Sequence, residues 1–179
     1  MIETERLLLR RPEARDLDAV VRQITDPEVM RYLGSGGALQ PEEAPSRLEF
    51  MMRGWEEDGF GRFVVERRDT GEAIGRVGLL AWDPRIWRMG TRRELGDDAE
   101  IELGWTLERA AWGQGYATEA AAAARDWALR ELEPRRLISL IHPANEASKR
   151  VAERIGERHR EDIVTEQGIA VGLWEYAGP

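Results

Sequence analysis

A glycine-spaced loop that leads directly into a strong helix-forming run is the feature that most constrains this chain. The loop contains Gly113 and Gly115, and the alanine-rich run follows at residues 120–129. The run has high helix propensity and no internal breaker, so we predict a helix that begins at Tyr116 or Ala117. Amides at a helix N-terminus lack intrahelical partners, and the helix dipole adds positive potential there. The junction therefore suits an anion such as a pyrophosphate, which the glycines allow to approach the backbone.

Two common phosphate-binding motifs do not fit this loop. A Rossmann fingerprint requires a third glycine at position 118, where this chain has Thr118, and a P-loop requires a lysine after the glycines. A glycine pair before a helix is also typical of a simple turn. The loop alone leaves both interpretations open.

The segment before the loop, residues 99–107, alternates in a way that predicts a half-buried strand. Ile101 and Leu103 are expected to face the core, so Glu100 and Glu102 are expected to project from the opposite face. A carboxylate in such a place can serve as a base, but a carboxylate on the exposed face of a strand is more often solvated. The residues themselves leave both roles open, and Glu100 has a claim similar to that of Glu102.

Three segments together resemble the GNAT superfamily of N-acetyltransferases, and within it the RimJ/RimL type. The first segment joins residues 102–107 to residues 112–120, and the second is residues 142–148, where Asn145 and Ser148 lie three positions apart. The third is the opening, residues 4–10. The usual loop of the superfamily begins with Arg or Gln, and here Trp112 takes that place. The joint pattern is specific, although each piece alone is weak.

The resemblance implies one domain over residues 1–179 with an α/β (α+β) GNAT fold. That fold is a mixed, strongly twisted and splayed sheet of about six to seven strands with helices on both faces. Acetyl-CoA is the implied co-substrate, and it enters the split between two central strands. The residues that the resemblance assigns to binding acetyl-CoA are Trp105, Thr106, Leu107, Trp112, Gly113, Gln114, Gly115, Tyr116, Ala117, Thr118, Asn145 and Ser148.

Acetyl transfer to an amine requires that the amine lose a proton, because most of it is protonated at neutral pH. The resemblance places Glu102 beside the acceptor as the base. It places Ser148 beside the sulfur, where a hydroxyl helps the CoA thiolate to leave. Asn145 is also typical of an N-cap that accepts a hydrogen bond from the amide of Ser148, a role that needs no cofactor.

The acceptor is expected to be a primary amine, either a protein N-terminus or a small molecule. An α-amine is favoured weakly, because more of it is neutral near pH 7 than of a lysine amine. Two other functions stay open: a module that binds acetyl-CoA without catalysis, and a nucleotide-dependent enzyme.

Composition narrows the function further. The chain has no cysteine, which excludes disulfides, thiolate zinc sites and a cysteine nucleophile, so direct transfer is expected. Two histidines are too few for a His-rich site, and we expect no metal. The net charge of −8 argues against nucleic-acid binding and mildly favours a cationic acceptor. No long apolar run or signal-peptide pattern occurs, so we expect a cytoplasmic protein without membrane contact, as a monomer or homodimer.

Elsewhere the pattern alternates helices and strands. We predict helices capped by Asp16 and started by Asp26 and Pro27, and a further helix from Pro41. The last predicted helix runs from Asn145 toward Gly156. Predicted strands cover residues 63–67, 73–80 and 137–141, with a final hairpin over residues 163–176. Residues 82–98, in which acidic and basic side chains balance, are predicted to form a long loop, with a lid over the acceptor as one interpretation.

Overall fold

A nine-stranded mixed sheet organises residues 1–178, the part of the chain that the computed structural model describes. The strands follow the order β1-β2-β3-β4-β6-β7-β9-β8, and β5 pairs with β4 alone. The strands are β1 (Ile2–Glu3), β2 (Leu7–Arg10), β3 (Arg62–Arg67), β4 (Ala73–Asp83), β5 (Arg88–Gly90), β6 (Glu100–Leu107), β7 (Leu137–Ile141), β8 (Glu157–Val164) and β9 (Ala170–Tyr176). The helices are α1 (Leu17–Thr25), α2 (Pro27–Met30), α3 (Ala44–Glu57), α4 (Arg92–Leu95), α5 (Tyr116–Glu131) and α6 (Glu146–Arg154).

The sheet has more strands than the six to seven expected from the sequence. The opening segment divides into β1 and β2, because Thr4 makes a turn in which its amide donates to the carbonyl of Leu7 and its hydroxyl accepts from the amide of Leu7. The predicted long loop over residues 82–98 is wrong, since it contains β5 and α4. Thr91 and Glu94 form a reciprocal capping box that starts α4.

The helix boundaries follow local capping chemistry at most of the predicted positions. The prediction for α5 is confirmed: it begins at Tyr116, with Gly115 at the N-cap in a left-handed conformation. Asp26 caps α2 by accepting from the amide of Glu28. Asp16 stands before α1, but its side chain makes no cap hydrogen bond to that helix and instead forms a 2.6 Å ion pair with Arg10.

Helices cover both faces of the sheet, as expected. On β4, Val77 belongs to the main apolar cluster with Ala120 and Ala124 of α5. The preceding residue, Arg76, reaches Gln23 of α1. Because successive side chains of a strand point to opposite faces, α5 and α1 lie on opposite sides of β4.

The sheet splits between its two central strands. β6 and β7 are parallel, but only Ile101 and Glu102 of β6 have partners on β7. Beyond that point β6 stays paired with β4, whereas β7 pairs with β9. The edge of β6 from Leu103 onward therefore faces an opening instead of a neighbouring strand.

Candidate active site

A cleft of about 630 Å³ lies at the split between β6 and β7. Its walls come from α2 and the residues after it, from β4 and β6, from the loop before α5, and from β7 and α6. Pockets of this size hold small molecules and cofactors. The cleft is therefore the candidate site of chemistry in this fold.

The mouth of the cleft is formed by the glycine-spaced loop at the start of α5. Gly113 and Gly115 have φ angles of 74° and 81°, in the left-handed region that favours glycine. The first intrahelical hydrogen bond of α5 runs from the amide of Glu119 to the carbonyl of Gly115. The amides of residues 116–118 precede that bond and have the orientation that binds anions at helix N-termini.

An ion pair from the first turn of the chain holds this loop. Arg6 donates to the carbonyl oxygen of Gln114 at 2.9 Å and to the Glu119 carboxylate at 2.7 Å. Glu119 also accepts from the hydroxyl of Thr4 at 2.6 Å. The side chain of Arg6 stacks over the Tyr116 ring, 4.5 Å from its centroid. The sequence did not predict these contacts of Arg6 with the loop and with Glu119, because the residues are more than 100 positions apart.

Glu102 lies where β6 and β7 part. It is only 8% exposed, so the expectation of a half-exposed polar face on β6 is wrong. Its Oε2 accepts from Nε1 of Trp82 at 2.6 Å, and the amide of Leu140 also donates to the carboxylate. Burial raises the pKa of the Glu102 carboxyl above its usual value, while the positive charge of Arg62 and the Trp82 hydrogen bond oppose that rise. A carboxylate with a raised pKa inside a cleft has the properties of a general base.

Glu100 lies in different surroundings from Glu102. It is also buried, at 3% exposure, but its oxygens accept from Arg135 at 2.7 Å and from Arg136 at 2.9 Å. Glu100 is not among the residues that line the cleft. Its two arginine partners make it part of an ion-pair cluster at the start of β6.

Ser148 and Asn145 lie together at the start of α6. Both line the cleft, and the Asn145 side chain accepts from the amide of Ser148 at 3.1 Å, so the predicted N-cap is confirmed. The side-chain oxygen of Asn145 is thus occupied by the start of α6. The Ser148 hydroxyl stays a predicted proton donor.

The structure brings nearly all of the predicted site residues to one cleft. The lining includes Glu102, Trp105, Thr106, Leu107, Trp112, Gly113, Gly115, Tyr116, Ala117, Thr118, Asn145 and Ser148. Gln114 is the exception: its side chain donates to the carbonyl of Ala110, and it is not a lining residue. The indole of Trp112 donates to the carbonyl of Leu107 at 2.8 Å, which ties the loop to the end of β6.

Two groups of polar residues at the cleft were not predicted. Ser139 and Glu157 are buried beneath the split, and Arg62 and Arg76 line it on the side of α1. A sequence signal existed for Arg76, because it interrupts the uncharged run of residues 73–82, and isolated charges are rarely fully buried. Residues 82–98 are not among the residues that line the cleft, so the lid interpretation of that segment has no support.

Residues 1–178 contain neither a membrane-spanning helix nor a cluster of metal-binding side chains. No helix there combines the length and the apolar character needed to cross a membrane. No group of three or more His, Asp and Glu side chains in the same residues is arranged to hold a metal ion.

Comparison with known proteins agrees with this architecture. The family described as "Acetyltransferase (GNAT) domain" matches residues 6–158. The Bacillus subtilis protein named "Uncharacterized N-acetyltransferase YnaD" is 30% identical over 157 residues, which cover 88% of this chain and 82% of that protein. The crystal structure of an acetyltransferase from Agrobacterium tumefaciens is 30% identical with a TM-score of 0.78, covering 99% of this chain and 94% of that one.

A more distant solved structure shares the fold alone. It is RimL, titled a ribosomal L7/L12 alpha-N-protein acetyltransferase in complex with coenzyme A. It is 15% identical with a TM-score of 0.73, and the alignment covers 96% of this chain and 94% of that one.

The chain belongs to the GNAT acetyltransferase family, because the family match spans residues 6–158. The nine-stranded mixed sheet, split between β6 and β7, is its version of the GNAT fold. The protein is accordingly an enzyme of the acyltransferase class.

Proposed function

We propose that the protein transfers the acetyl group of acetyl-CoA directly to a primary amine, with Glu102 as the general base. The observation that carries this proposal is that a buried carboxylate and an anion-suited helix N-terminus open into the same cleft. Acetyl transfer needs both features, because the pyrophosphate of acetyl-CoA needs an anion site and the protonated amine acceptor needs a base. The noncatalytic alternative needs only the helix N-terminus.

The donor half of the cleft fits acetyl-CoA in charge and in shape. The amides of residues 116–118 and the two left-handed glycines suit the pyrophosphate. The unpaired edge of β6 at Trp105 and Thr106 suits the amide-containing pantetheine arm, which can pair with an exposed strand edge as a peptide does. RimL, whose fold this chain shares, is titled as a complex with coenzyme A, which agrees with this assignment.

Glu102 and Ser148 divide the proton transfers between them. Acetyl-CoA supplies an activated acyl group, and the amine nitrogen forms the new bond to its carbonyl carbon. Glu102 takes the proton from the amine, directly or through a water molecule, and Ser148 donates toward the sulfur as the thiolate departs. Starting from the protonated amine, the products are the amide, the CoA thiol and one released proton: one proton leaves the nitrogen through Glu102, and a second replaces the proton that Ser148 gives to the sulfur. No cysteine is present to carry the acyl group.

We infer that the acceptor is an α-amine of a protein or peptide, as in enzymes of the RimJ/RimL type. The support is the paired signature of Asn145 and Ser148 with the loop at Trp112, together with the larger neutral fraction of an α-amine. RimL itself is titled an alpha-N-protein acetyltransferase, although its 15% identity extends the likeness to the fold alone.

The test is release of free CoA from acetyl-CoA in the presence of matched peptides. One peptide has a free N-terminus and no lysine, and the other has a blocked N-terminus and one lysine. Faster turnover with the first supports an α-amine acceptor, and faster turnover with the second contradicts it. The Ser148→Ala variant should lower kcat with little change in the Kd of CoA, whereas unchanged kcat would remove Ser148 from the mechanism.

A further inference from the structure

Arg76 is a buried arginine of the cleft that has almost no partner within the protein. It lies in the middle of β4 and is 7% exposed. Its Nη1 donates to the Gln23 side chain at 2.9 Å, and its Nε has no hydrogen-bond partner in residues 1–178. A guanidinium carries five N–H donors, so the hydrogen bond to Gln23 uses only a small part of the hydrogen-bonding capacity of Arg76.

The charged neighbours of Arg76 are positive. Burial, followed by the charges of Arg62 and Arg47, lowers the pKa of Arg76 to about 9, so the side chain is still a cation at neutral pH. Arg62 also lines the cleft, and burial and Arg47 lower its pKa, with only Glu102 acting in the opposite direction. Within residues 1–178 the charge of Glu102 acts on Arg62, whereas no carboxylate acts on Arg76, whose charged neighbours are Arg62 and Arg47.

The remaining acidic side chain in the cleft lining does not supply the missing charge. Glu28 lies at the rim, half exposed, and forms a 3.6 Å pair with Arg31. The protein as a whole carries a net charge of −8, yet this part of the cleft has an excess of positive charge. A buried cation without a counter-ion is unfavourable, and the usual resolution is an anion that binds there.

The arrangement of the strands places Arg76 on the same side of the sheet as Glu102. Arg76 is paired directly with Thr106, and side chains of directly paired residues point to the same face. Thr106 is four residues from Glu102, so the two share a face as well. Gly104 lies between them without a side chain, which leaves the sheet surface open from the base to the guanidinium.

Arg76 is also separated from the pyrophosphate end of the cleft by the sheet itself. Its side chain points to α1, whereas α5 packs on the opposite face of β4. A phosphate at the N-terminus of α5 therefore does not provide its counter-ion.

We propose that Arg76, together with Arg62, binds an anionic group of the acceptor, so that the preferred substrate is an amine that also carries a carboxylate. This rests on the proposed function, in which Glu102 marks the position of the amine. A carboxylate is planar and accepts two parallel hydrogen bonds from a guanidinium, which suits the free donors of Arg76. The substrate class is thus a free amino acid or a peptide with an acidic residue near its N-terminus.

The experiment compares acceptors that differ only in the anionic group. Amino acids are paired with their carboxamides, and N-terminal peptides that contain Asp or Glu are paired with the Asn or Gln versions. The wild-type enzyme at saturating acetyl-CoA should favour the carboxylates by about tenfold or more in kcat/KM, the scale of a hydrogen bond to a charged group. The same pairs are compared by their effect on the unfolding temperature of the CoA-loaded protein, which reads binding without turnover.

Variants identify the residue responsible. Arg76→Met should abolish the preference by raising KM for the carboxylates, while KM for the carboxamides and the Kd of CoA stay within about twofold. Arg76→Lys keeps the charge and should retain part of the preference. Arg130→Gln, an exposed arginine near the end of α5, is the control and should change none of these values.

The outcomes separate this inference from the proposed function. Equal kcat/KM and equal stabilisation for both members of each pair overturn it, as does a preference that Arg76→Met retains. Free chloride or phosphate that stabilises the CoA-loaded protein as strongly as the carboxylates also overturns it, because the anion then need not belong to the acceptor. Failure of the proposed function has a different signature: acetyl-CoA neither binds nor is consumed with any amine.

Discussion

Ser139 on β7 and Glu157 on β8 share a buried hydrogen bond of 2.9 Å beneath the split in the sheet. The Ser139 hydroxyl also donates to the carbonyl of Leu103 at 2.6 Å. A hydroxyl has one hydrogen, so when it serves Leu103 the second contact requires a proton on Glu157. Glu157 is 0% exposed, and burial, reinforced by the nearby Glu102, raises its pKa to about 8. The Glu157 carboxyl is therefore largely protonated at neutral pH.

The protonated Glu157 predicts how stability depends on pH. Its folded pKa lies above the unfolded value, so the native state binds the extra proton, and that contribution is lost as pH rises from about 4.5 toward about 8. The Glu157→Gln variant lacks this proton. Wild type should thus lose stability relative to the variant across that interval, by up to roughly 1.4 kcal/mol per pH unit, as measured by urea unfolding. A difference that is independent of pH would show that Glu157 does not carry the proton.

Glu102→Gln should lower kcat by about a hundredfold or more, the usual scale for a lost general base. Because the pKa of Glu102 is raised, wild-type activity should increase as pH rises through it, and the variant should lack that increase. Glu100→Gln is the matched control on the same strand. It should reduce stability through its arginine partners and leave the shape of the pH profile intact. A Glu102→Gln profile like that of wild type would remove Glu102 from the mechanism.

Trp82→Phe should move the pH profile without abolishing activity. The indole hydrogen bond stabilises the ionised form of Glu102, so its loss should raise the carboxyl pKa further. The ascending limb of kcat against pH should shift to higher pH. A shift to lower pH would contradict this assignment of the Trp82 hydrogen bond.

Substitution of left-handed glycines should lower stability wherever they lie, but should weaken CoA binding only in the loop before α5. Gly113→Ala and Gly115→Ala should each cost about 1 kcal/mol in unfolding free energy, because an L residue is strained at their φ angles. Both should also weaken CoA binding. Gly71→Ala is the control: it has φ 70° and nothing within 4 Å of an added Cβ, but it lies in the β3–β4 turn. It should lose similar stability and keep the CoA affinity of wild type, and a matching loss of affinity there would contradict a specific role for the loop.

The contacts of Arg6 with Glu119 and with the carbonyl of Gln114 should hold the loop before α5 in place. Glu119→Gln removes the carboxylate that holds Arg6, so the loop should become less ordered and the Kd of CoA should increase. The expected loss in unfolding free energy is about 1 kcal/mol, since these are charge-assisted but partly exposed hydrogen bonds. Glu131→Gln breaks an exposed pair with Arg130 on the same helix and should leave both quantities near the wild-type values. Equal effects of the two variants would show that these contacts of Arg6 have no particular importance.

Much of this architecture could be predicted from local signals. The N-caps at Asp26 and Asn145, the start of α5 and the bounds of β7 follow from residues within a few positions of each other. Most of the residues that the resemblance assigns to acetyl-CoA lie in contiguous motifs, and they line the same cleft. The burial of Glu102 was missed, since it depends on Trp82 and on the β7 strand, and no local pattern records those contacts.

The polar residues deeper in the cleft show the same limit. Ser139 and Glu157 are 18 positions apart, and their contact exists only after β8 has paired with β9 beside β7. Asp16 looked like a simple cap, but a buried arginine competes for its carboxylate more strongly than a helix amide does. The sequence pattern predicts most of the secondary structure, but it does not predict which polar groups become partners in the folded protein.

Thermal unfolding with acetyl-CoA, CoA, ATP and NAD at matched millimolar concentrations tests the central claim most directly. A ligand present at about 100 times its Kd adds roughly 2.7 kcal/mol to the stability of the native state. Acetyl-CoA and CoA should raise the unfolding temperature, the Gly115→Ala variant should reduce that increase, and ATP and NAD should have little effect. An unfolding temperature that neither acetyl-CoA nor CoA changes would contradict the assignment of the cleft as an acetyl-CoA site.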